Sequence, residues 1–380
     1  MKRNHTLHIV SFDIPYPPDY GGVVDVFYKI KYLHQAGFEI ILHCFQYNNK
    51  PVAEELEKYC KRVYYYRRDT SLDKHLHLLP YTVTSRINKE LLNNLIKDDH
   101  PILFETLHTA YFINHPLLKN RKKILRLSNI EHHYYYHLFL SEKNIFKKLY
   151  FLLESIKLYF YEKQTFRYAD LILPVTQNDV NYINKYYARA NVYLVPSFHP
   201  FKDIFVWKGK GEYLLYHGNL SVPENYKAAE YLLKNIAPQI SIPIIIAGKN
   251  PPKFLVKKCQ KYKNVQLVAN PDDDEMKQLI QNAHIVWLFT HQDTGLKLKL
   301  IHSLFTARFI VCNSKMIAGT PLKSNLSFYI KDTPQEMINT IQALQQSEFD
   351  DGHINQRKDL IQWFDNIEQI GKLREIIVGL

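Results

Sequence analysis

LHIVSFDIPYPPDYGGVVDVFYKIKYLHQAGFEIILHCF, residues 7–45, decides the fold. Leu7–Phe12 is an apolar run of strand length, and the Pro- and Gly-rich loop 14–22 ends it. Val24, Phe27, Ile30, Tyr32 and Leu33 then recur at helical spacing, and Gly37 stands where a helix C-cap belongs. FEIILHCF (38–45) is a second strand. Strand, helix and strand in that order imply a parallel sheet, because a parallel pair needs a crossover connection.

The pattern continues outward. Strand-like runs fall at 63–68, 102–107, 123–128, 171–175 and 192–196, with a long helical stretch at 142–168. Residues 201–212 carry Gly and charge without a period and read as a linker. A second series starts at 213, with strands 213–218, 242–248, 265–269, 284–290, 309–313 and 327–330. Helices 223–235, 252–262, 272–282 and 295–306 alternate with them, and helical segments 334–347 and 356–378 close the chain. The fold class is therefore α/β, with two Rossmann-like doubly wound domains, 1–200 and 213–355. Such domains place ligands at the carboxyl ends of their strands, here facing a cleft.

Composition agrees. At roughly 100–200 residues per domain, 380 residues make two domains. A 46% hydrophobic fraction excludes wholesale disorder. Lys+Arg minus Asp+Glu is 49 − 37 = +12, which points to nucleic acid, lipid head groups or a phosphorylated substrate, unless it is compositional drift. Cys44, Cys60, Cys259 and Cys312 have no paired spacing, so neither a zinc motif nor a disulfide framework follows, and a reducing compartment is expected. The run after Lys2 and Arg3 is shorter than a signal-peptide core. No stretch approaches the ~18 apolar residues of a transmembrane helix, so the expectation is a soluble chain or one lying on a membrane surface.

HIVWLFTHQDTGLKLKLIHSLFTARFIVCNS (284–314) is the most informative segment for chemistry. A strand runs into a polar loop, and a helix predicted from Gly295 presents free amides around Thr294–Lys297, reinforced by Lys297 and Lys299. That is an anion site, or else an ordinary strand-to-helix turn with solvated lysines.

TGLKLKLIHSLFTARFIVCNS resembles the donor-site segment of retaining GT-B glycosyltransferases, the bacterial family-4-like glycosyl transferases group 1. The stretch 14–45 looks like that family's first glycine loop and helix. LRLSNIEHHYYYHL, YADLILPVTQNDVNYI, VYLVPS, LLYHGNLSVPENYKAAEYLL and IPIIIAGKNPP match further segments in order. The resemblance covers nearly the whole chain. It implies a nucleotide-sugar-dependent hexosyltransferase acting with retention on a glycan or lipid-linked acceptor, in surface-polysaccharide assembly. It also implies a cytoplasmic or inner-face location, no metal or other cofactor, and a final helix (356–380) that crosses back to the first domain. By resemblance, His108, Lys227 and Lys299 are catalytic. Gly21, Gly22, Gly218, Asn219, Gly248, Lys249, Thr294, Gly295, Leu296, Lys297 and His302 bind the donor, and Asn129 and Glu131 face the acceptor.

The chain departs from the family at His302 and Thr294, where glutamates are usual, and at Asn219, where arginine often holds the diphosphate. A histidine can still bond a ribose hydroxyl, and lysines can offset phosphate charge. The same losses would suit a non-catalytic sugar-nucleotide or glycan-binding protein, the alternative function. A GxGxxG fingerprint is missing, which argues against an oxidoreductase.

Other clusters read as structure. Asp272, Asp273 and Asp274 precede a helix and are expected to cap it rather than bind metal. His132, His133 and His137 look metal-like by count, but within a Tyr-rich helical run they are expected to form an aromatic surface. Helix 142–168 mixes six Lys/Arg with aromatic and aliphatic residues. It either packs a core stripe of Phe146, Leu149, Leu153, Ile156 and Phe160, or lies on an anionic membrane. No nucleic-acid-binding module is present.

Overall fold

The computed structural model describes residues 5–47, 50–142, 144–187 and 190–379. Lys2 and Arg3, and Lys143 in the expected helix 142–168, lie outside the described residues. The chain forms two compact units. One is Met1–Pro200 with Thr294–Leu296 and Asp365–Leu380; the other is Phe201–Asp293 with Lys297–Phe364.

The first unit is built on strands β1 (His5–Ser11), β2 (Phe38–Gln46), β3 (Arg62–Arg67), β4 (Ile102–Glu105), β5 (Lys123–Leu127) and β6 (Leu171–Pro174). They pair in the order β3-β2-β1-β4-β5-β6, every pair parallel. β4, β5 and β6 are buried along their whole length, as a parallel sheet covered on both faces requires. On one face Ile9, Leu42, Leu103 and Ile124 meet Val26, Ile30 and Leu33 of the helix Gly21–Gln35, and Ile370, Leu373 and Ile377 of the helix Asn366–Val378. On the other, Val10, Phe104, Leu125 and Ile172 meet Leu107, Phe112, Tyr161 and Phe166.

The second unit repeats the winding. Its strands are β7 (Tyr213–His217), β8 (Ile244–Gly248), β9 (Val265–Ala269), β10 (Ala283–Leu288), β11 (Phe309–Cys312) and β12 (Phe328–Ile330). Their order, β12-β11-β10-β7-β8-β9, is again all parallel. Counted from each unit's first strand, both sheets have the order 3-2-1-4-5-6 of a doubly wound dinucleotide-type fold. Fully buried Trp287 and Phe309 centre the second core. Arg357 is also fully buried; its guanidinium donates to the carbonyls of Ala307, Arg308 and Ser327. Residues 201–212 are held by this unit, where Phe205 and Gly209 donate to the Phe305 and Phe349 carbonyls.

Four expectations are corrected. Among the described residues the expected strand 192–196 makes one bridge, Ile172 to Val192; Tyr193 N and Val195 N donate to β6, while the Val195 and Pro196 carbonyls go to Arg126. Helix 142–168 is the helix Ile145–Thr165, preceded by a separate helix Glu131–Ser141. Asn144 starts it by accepting from Phe146 N (3.0 Å) and Lys147 N (3.1 Å). Helix 356–378 is two helices, Asp351–Ile361 and Asn366–Val378, the second capped by Asp365. Most consequentially, Phe146, Leu149, Leu153, Ile156 and Phe160 are exposed, not buried. The buried face of that helix is Glu154, Ser155, Leu158, Tyr161, Glu162 and Thr165.

Candidate functional site

In a sheet of order 3-2-1-4-5-6, crossovers leave in opposite directions from the first and fourth strands, opening a crevice at their carboxyl ends. In the first unit these strands are β1 and β4. Beyond β1, Gly21 and Gly22 begin the helix Gly21–Gln35, whose N-cap Tyr20 offers no side-chain acceptor. A Cβ on Gly22 would lie 2.7 Å from the Phe12 ring, so the glycine permits this close turn. Beyond β4, Thr106 holds φ +64°, a conformation that strains a β-branched residue. Its hydroxyl accepts from His108 N at 3.2 Å and fixes the start of the turn that presents His108. His108 Nε2 stands 3.5 Å from Glu131 Oε2, and Glu131 Oε1 accepts from Asn129 Nδ2 at 3.3 Å. Three residues assigned on two segments thus meet in one cluster.

The structure adds what holds that cluster, none of it singled out from sequence. Glu162 on the helix Ile145–Thr165 accepts from Glu131 N at 2.7 Å and from His132 N at 3.3 Å, and also binds the His132 ring. A buried carboxylate so placed supplies the acceptor that the start of helix Glu131–Ser141 lacks. Burial pushes the Glu162 carboxyl upward in pKa, against the pull of His132. Beneath the β4 and β5 ends lie two acids and two bases. Lys29 Nζ is 2.8 Å from Glu105 and 3.2 Å from Asp25, and Arg126 Nε is 3.2 Å from Asp25. Asp25 also accepts from Phe198 N at 2.7 Å. Burial alone would raise Asp25, but Arg126 and Lys29 hold its carboxyl below the usual range; burial raises Glu105 despite Lys29. The spacing of Asp25 and Lys29 as i, i+4 was visible; their meeting with Glu105 and Arg126 depends on strand order.

Thr294–Leu296 cluster with this first unit. Gly295 has φ +64°, and a Cβ there would lie 2.3 Å from Asn129 Oδ1. The helix expected from Gly295 starts at Leu298, because the left-handed glycine cannot be its first turn. The first-turn amides are therefore those from Leu298 onward, with Lys297 as an N-cap that supplies no side-chain acceptor.

In the second unit the opposed strands are β7 and β10. Gly218 follows β7 and Gly248 ends β8; a Cβ on Gly248 would lie 1.8 Å from the Gly218 carbonyl oxygen. Lys299 Nζ donates to Asn225 Oδ1 at 2.9 Å and lies 5.2 Å from the Tyr216 ring centre. Burial pushes its ammonium down to about 8, partly opposed by Glu224. His302 stacks on Phe201 at 5.0 Å, and burial brings it down to about 4, so it is a neutral donor and acceptor at neutral pH. Lys227 lies one turn into the helix Pro223–Asn235. Lys249 is exposed just beyond β8. Asn219 is turned into its own loop, where Oδ1 accepts from Ser221 N (3.1 Å) and Oγ (2.7 Å).

Two residues missed from sequence stand here. Glu224, at the start of the helix Pro223–Asn235, accepts from Thr290 Oγ1 and Gln292 Nε2 and so braces the loop after β10. His217, the last residue of β7, is buried with Nε2 unbonded among the described residues, and burial brings it down to about 3. Asp272 caps its helix by accepting from Glu275 N at 2.8 Å, as expected.

Residues 211–347, which contain this second cluster, match the family described as glycosyl transferases group 1. A protein of Klebsiella pneumoniae, described as an uncharacterized 44.6 kDa protein in the cps region, is 27% identical over 332 residues, 82% of this chain and 84% of that one. Among solved structures, sucrose-phosphate synthase of Thermosynechococcus elongatus superposes with TM-score 0.73 at 13% identity, over 99% of this chain and 100% of that one. Anabaena Alr3699/HepE in complex with UDP and glucose gives 0.68 at 12% identity, over 99% and 100%. The two sheets together are the GT-B architecture, and the group 1 match falls on the unit that carries Gly218, Lys299 and His302.

Proposed function

We propose that the chain is a glycosyltransferase that moves a sugar, with retention, from a nucleoside-diphosphate donor to a glycan or lipid-linked acceptor in surface-polysaccharide assembly. The observation that carries the reading is the group 1 match to residues 211–347, whose sheet brings Gly218, Lys299 and Glu224 together at its reversal point. The relative in a cps region and the superposable Alr3699/HepE, solved in complex with UDP and glucose, support the pathway and the donor class.

In this reading the second unit holds the donor. Lys299, Lys297 and Lys227 offset the diphosphate charge without a metal, the amides at Leu298 add donors, and neutral His302 bonds a ribose hydroxyl. Gly248 lets the β8 end close against the Gly218 carbonyl, and so keeps the two strand ends together beside this site. In the first unit His108, which the resemblance assigns to the transferred sugar, clusters with Asn129 and Glu131, which it assigns to the acceptor. The acceptor oxygen bonds the anomeric carbon on the face from which the diphosphate oxygen departs, and the hydroxyl proton goes to that departing oxygen. Glu224 supplies a carboxylate that braces the loop after β10 in the donor unit.

Calorimetric titration with UDP-, GDP-, ADP- and dTDP-linked sugars tests the reading. Binding of one donor, with release of its diphosphate when acceptor is added and an unchanged anomeric configuration in the product, is the expected result. Binding by none refutes it; binding without turnover on any acceptor makes the chain a sugar-nucleotide-binding protein.

A further inference from the structure

The helix Ile145–Thr165 leaves Ile145, Phe146, Leu149, Leu153, Ile156 and Phe160 between 48% and 82% exposed. At about 100° per residue these six form one stripe, centred roughly 160° from the buried face of the same helix. Core packing and this stripe therefore use opposite sides of one helix. Exposed side chains this large, contiguous and aliphatic or aromatic mark an interaction surface.

A second segment extends it. Leu72, Leu76 and Leu78 are 82–91% exposed, and their loop is fastened beside the helix. Lys157 Nζ donates to the His75 carbonyl at 3.3 Å, and the His75 ring lies 5.9 Å from that of Tyr150.

The charges around this surface are sorted by sign. The acids of the helix turn inward, Glu154 accepting from Tyr81 N at 2.7 Å and Glu162 from Glu131 N. Lys147, Lys163 and Arg167 point outward, and the latter two continue the line of the stripe past Phe160. Beside and within the loop, Asp69 and Asp73 are exposed, and both are paired with Lys74, which offsets their charge. An apolar helix stripe bordered by cations, with the acids of the helix turned inward, complements an anionic lipid surface. Among the described residues no helix is long and apolar enough to cross a membrane.

We propose that the face formed by helix 145–165 and the 72–78 loop seats the protein on an anionic phospholipid bilayer. Its apolar side chains enter the interface while Lys147, Lys163 and Arg167 meet head groups. This holds whatever the donor proves to be.

The test is co-sedimentation of the full chain with two kinds of vesicle. One is phosphatidylcholine alone; the other is an equal mixture with phosphatidylglycerol. Wild type is expected on the mixed vesicles and released by salt. F146S/L149S/F160S should lower the partition coefficient at least about a hundredfold. K147E/K163E should lower it at least about tenfold on the mixed vesicles only. All five side chains are exposed, so both variants should keep the wild-type thermal midpoint. Absence of wild-type binding, equal binding to both vesicles, or full binding by the triple variant overturns the proposal. So does a dimer in light scattering that the triple variant dissolves while neither protein binds vesicles, because the face would then join two copies.

Discussion

Replacing Lys29 by methionine should be among the most damaging single changes outside the sheet cores, and removing Glu105 with it should restore much of the loss. Lys29 is fully buried and bridges Glu105 at 2.8 Å and Asp25 at 3.2 Å. In K29M, Asp25 keeps Arg126, but Glu105, 1% exposed, loses its ion-pair partner. Breaking a buried pair from one side costs about 3–5 kcal/mol, whereas replacing both partners by apolar groups is neutral or mildly stabilising. The K29M/E105L double variant should therefore lie within about 1 kcal/mol of wild type, giving a coupling of about 3 kcal/mol or more. Urea denaturation measures it, with an internal control. All three tryptophans, Trp207, Trp287 and Trp363, lie in the second unit, so their fluorescence should hardly move while the circular-dichroism transition shifts. The defect of K29M should also shrink as pH falls. A carboxyl whose folded pKa is raised binds its proton more readily folded than unfolded, so its burden is relieved on acidification. Single-variant losses that simply add in the double variant would refute the ion-pair account.

Further outcomes follow from the second unit. Gly248→Ala puts a methyl 1.8 Å from the Gly218 carbonyl oxygen, so the β7 and β8 ends must separate; a loss of about 3 kcal/mol or more is expected in the tryptophan-detected transition. His302 titrates at about 4 when folded against 6.5 unfolded, so its contribution is complete above pH 6.5 and lost as pH falls towards 4. At ~1.4 kcal/mol per unit, this 2.5-unit gap makes ~3 kcal/mol of acid sensitivity. His302→Gln should flatten the tryptophan-detected stability over that window, leaving the slope due to His217.

Much of this molecule was legible before its structure. Residues 7–45 fixed a parallel sheet, and strand 265–269 and helix 223–235 fall where periodicity put them. What escaped depended on partners distant in sequence. The 192–196 segment has strand composition, but its carbonyls serve Arg126 on β5. Glu224 reads as an ordinary first-turn acid until the β10 loop folds onto it. The stripe Phe146–Phe160 is the clearest case. Its helical spacing is real, but periodicity gives a face, not what covers it, and here the helix buries the opposite side. At the candidate site the residues that resemblance supplied, His108, Asn129 and Glu131, do come together, while Asn219 turns into its own loop.

The central claim is that the second unit binds a nucleoside-diphosphate sugar through Lys299. Donor affinity by calorimetry, measured for wild type and Lys299→Ala against pH, tests it most directly. With the free ammonium titrating at about 8, wild-type affinity should hold below that pH and fall about tenfold per unit above it. Lys299→Ala should bind at least about tenfold more weakly at neutral pH, with no such fall. A Lys299→Ala protein that binds the donor as tightly as wild type, with the same pH profile, would contradict the claim.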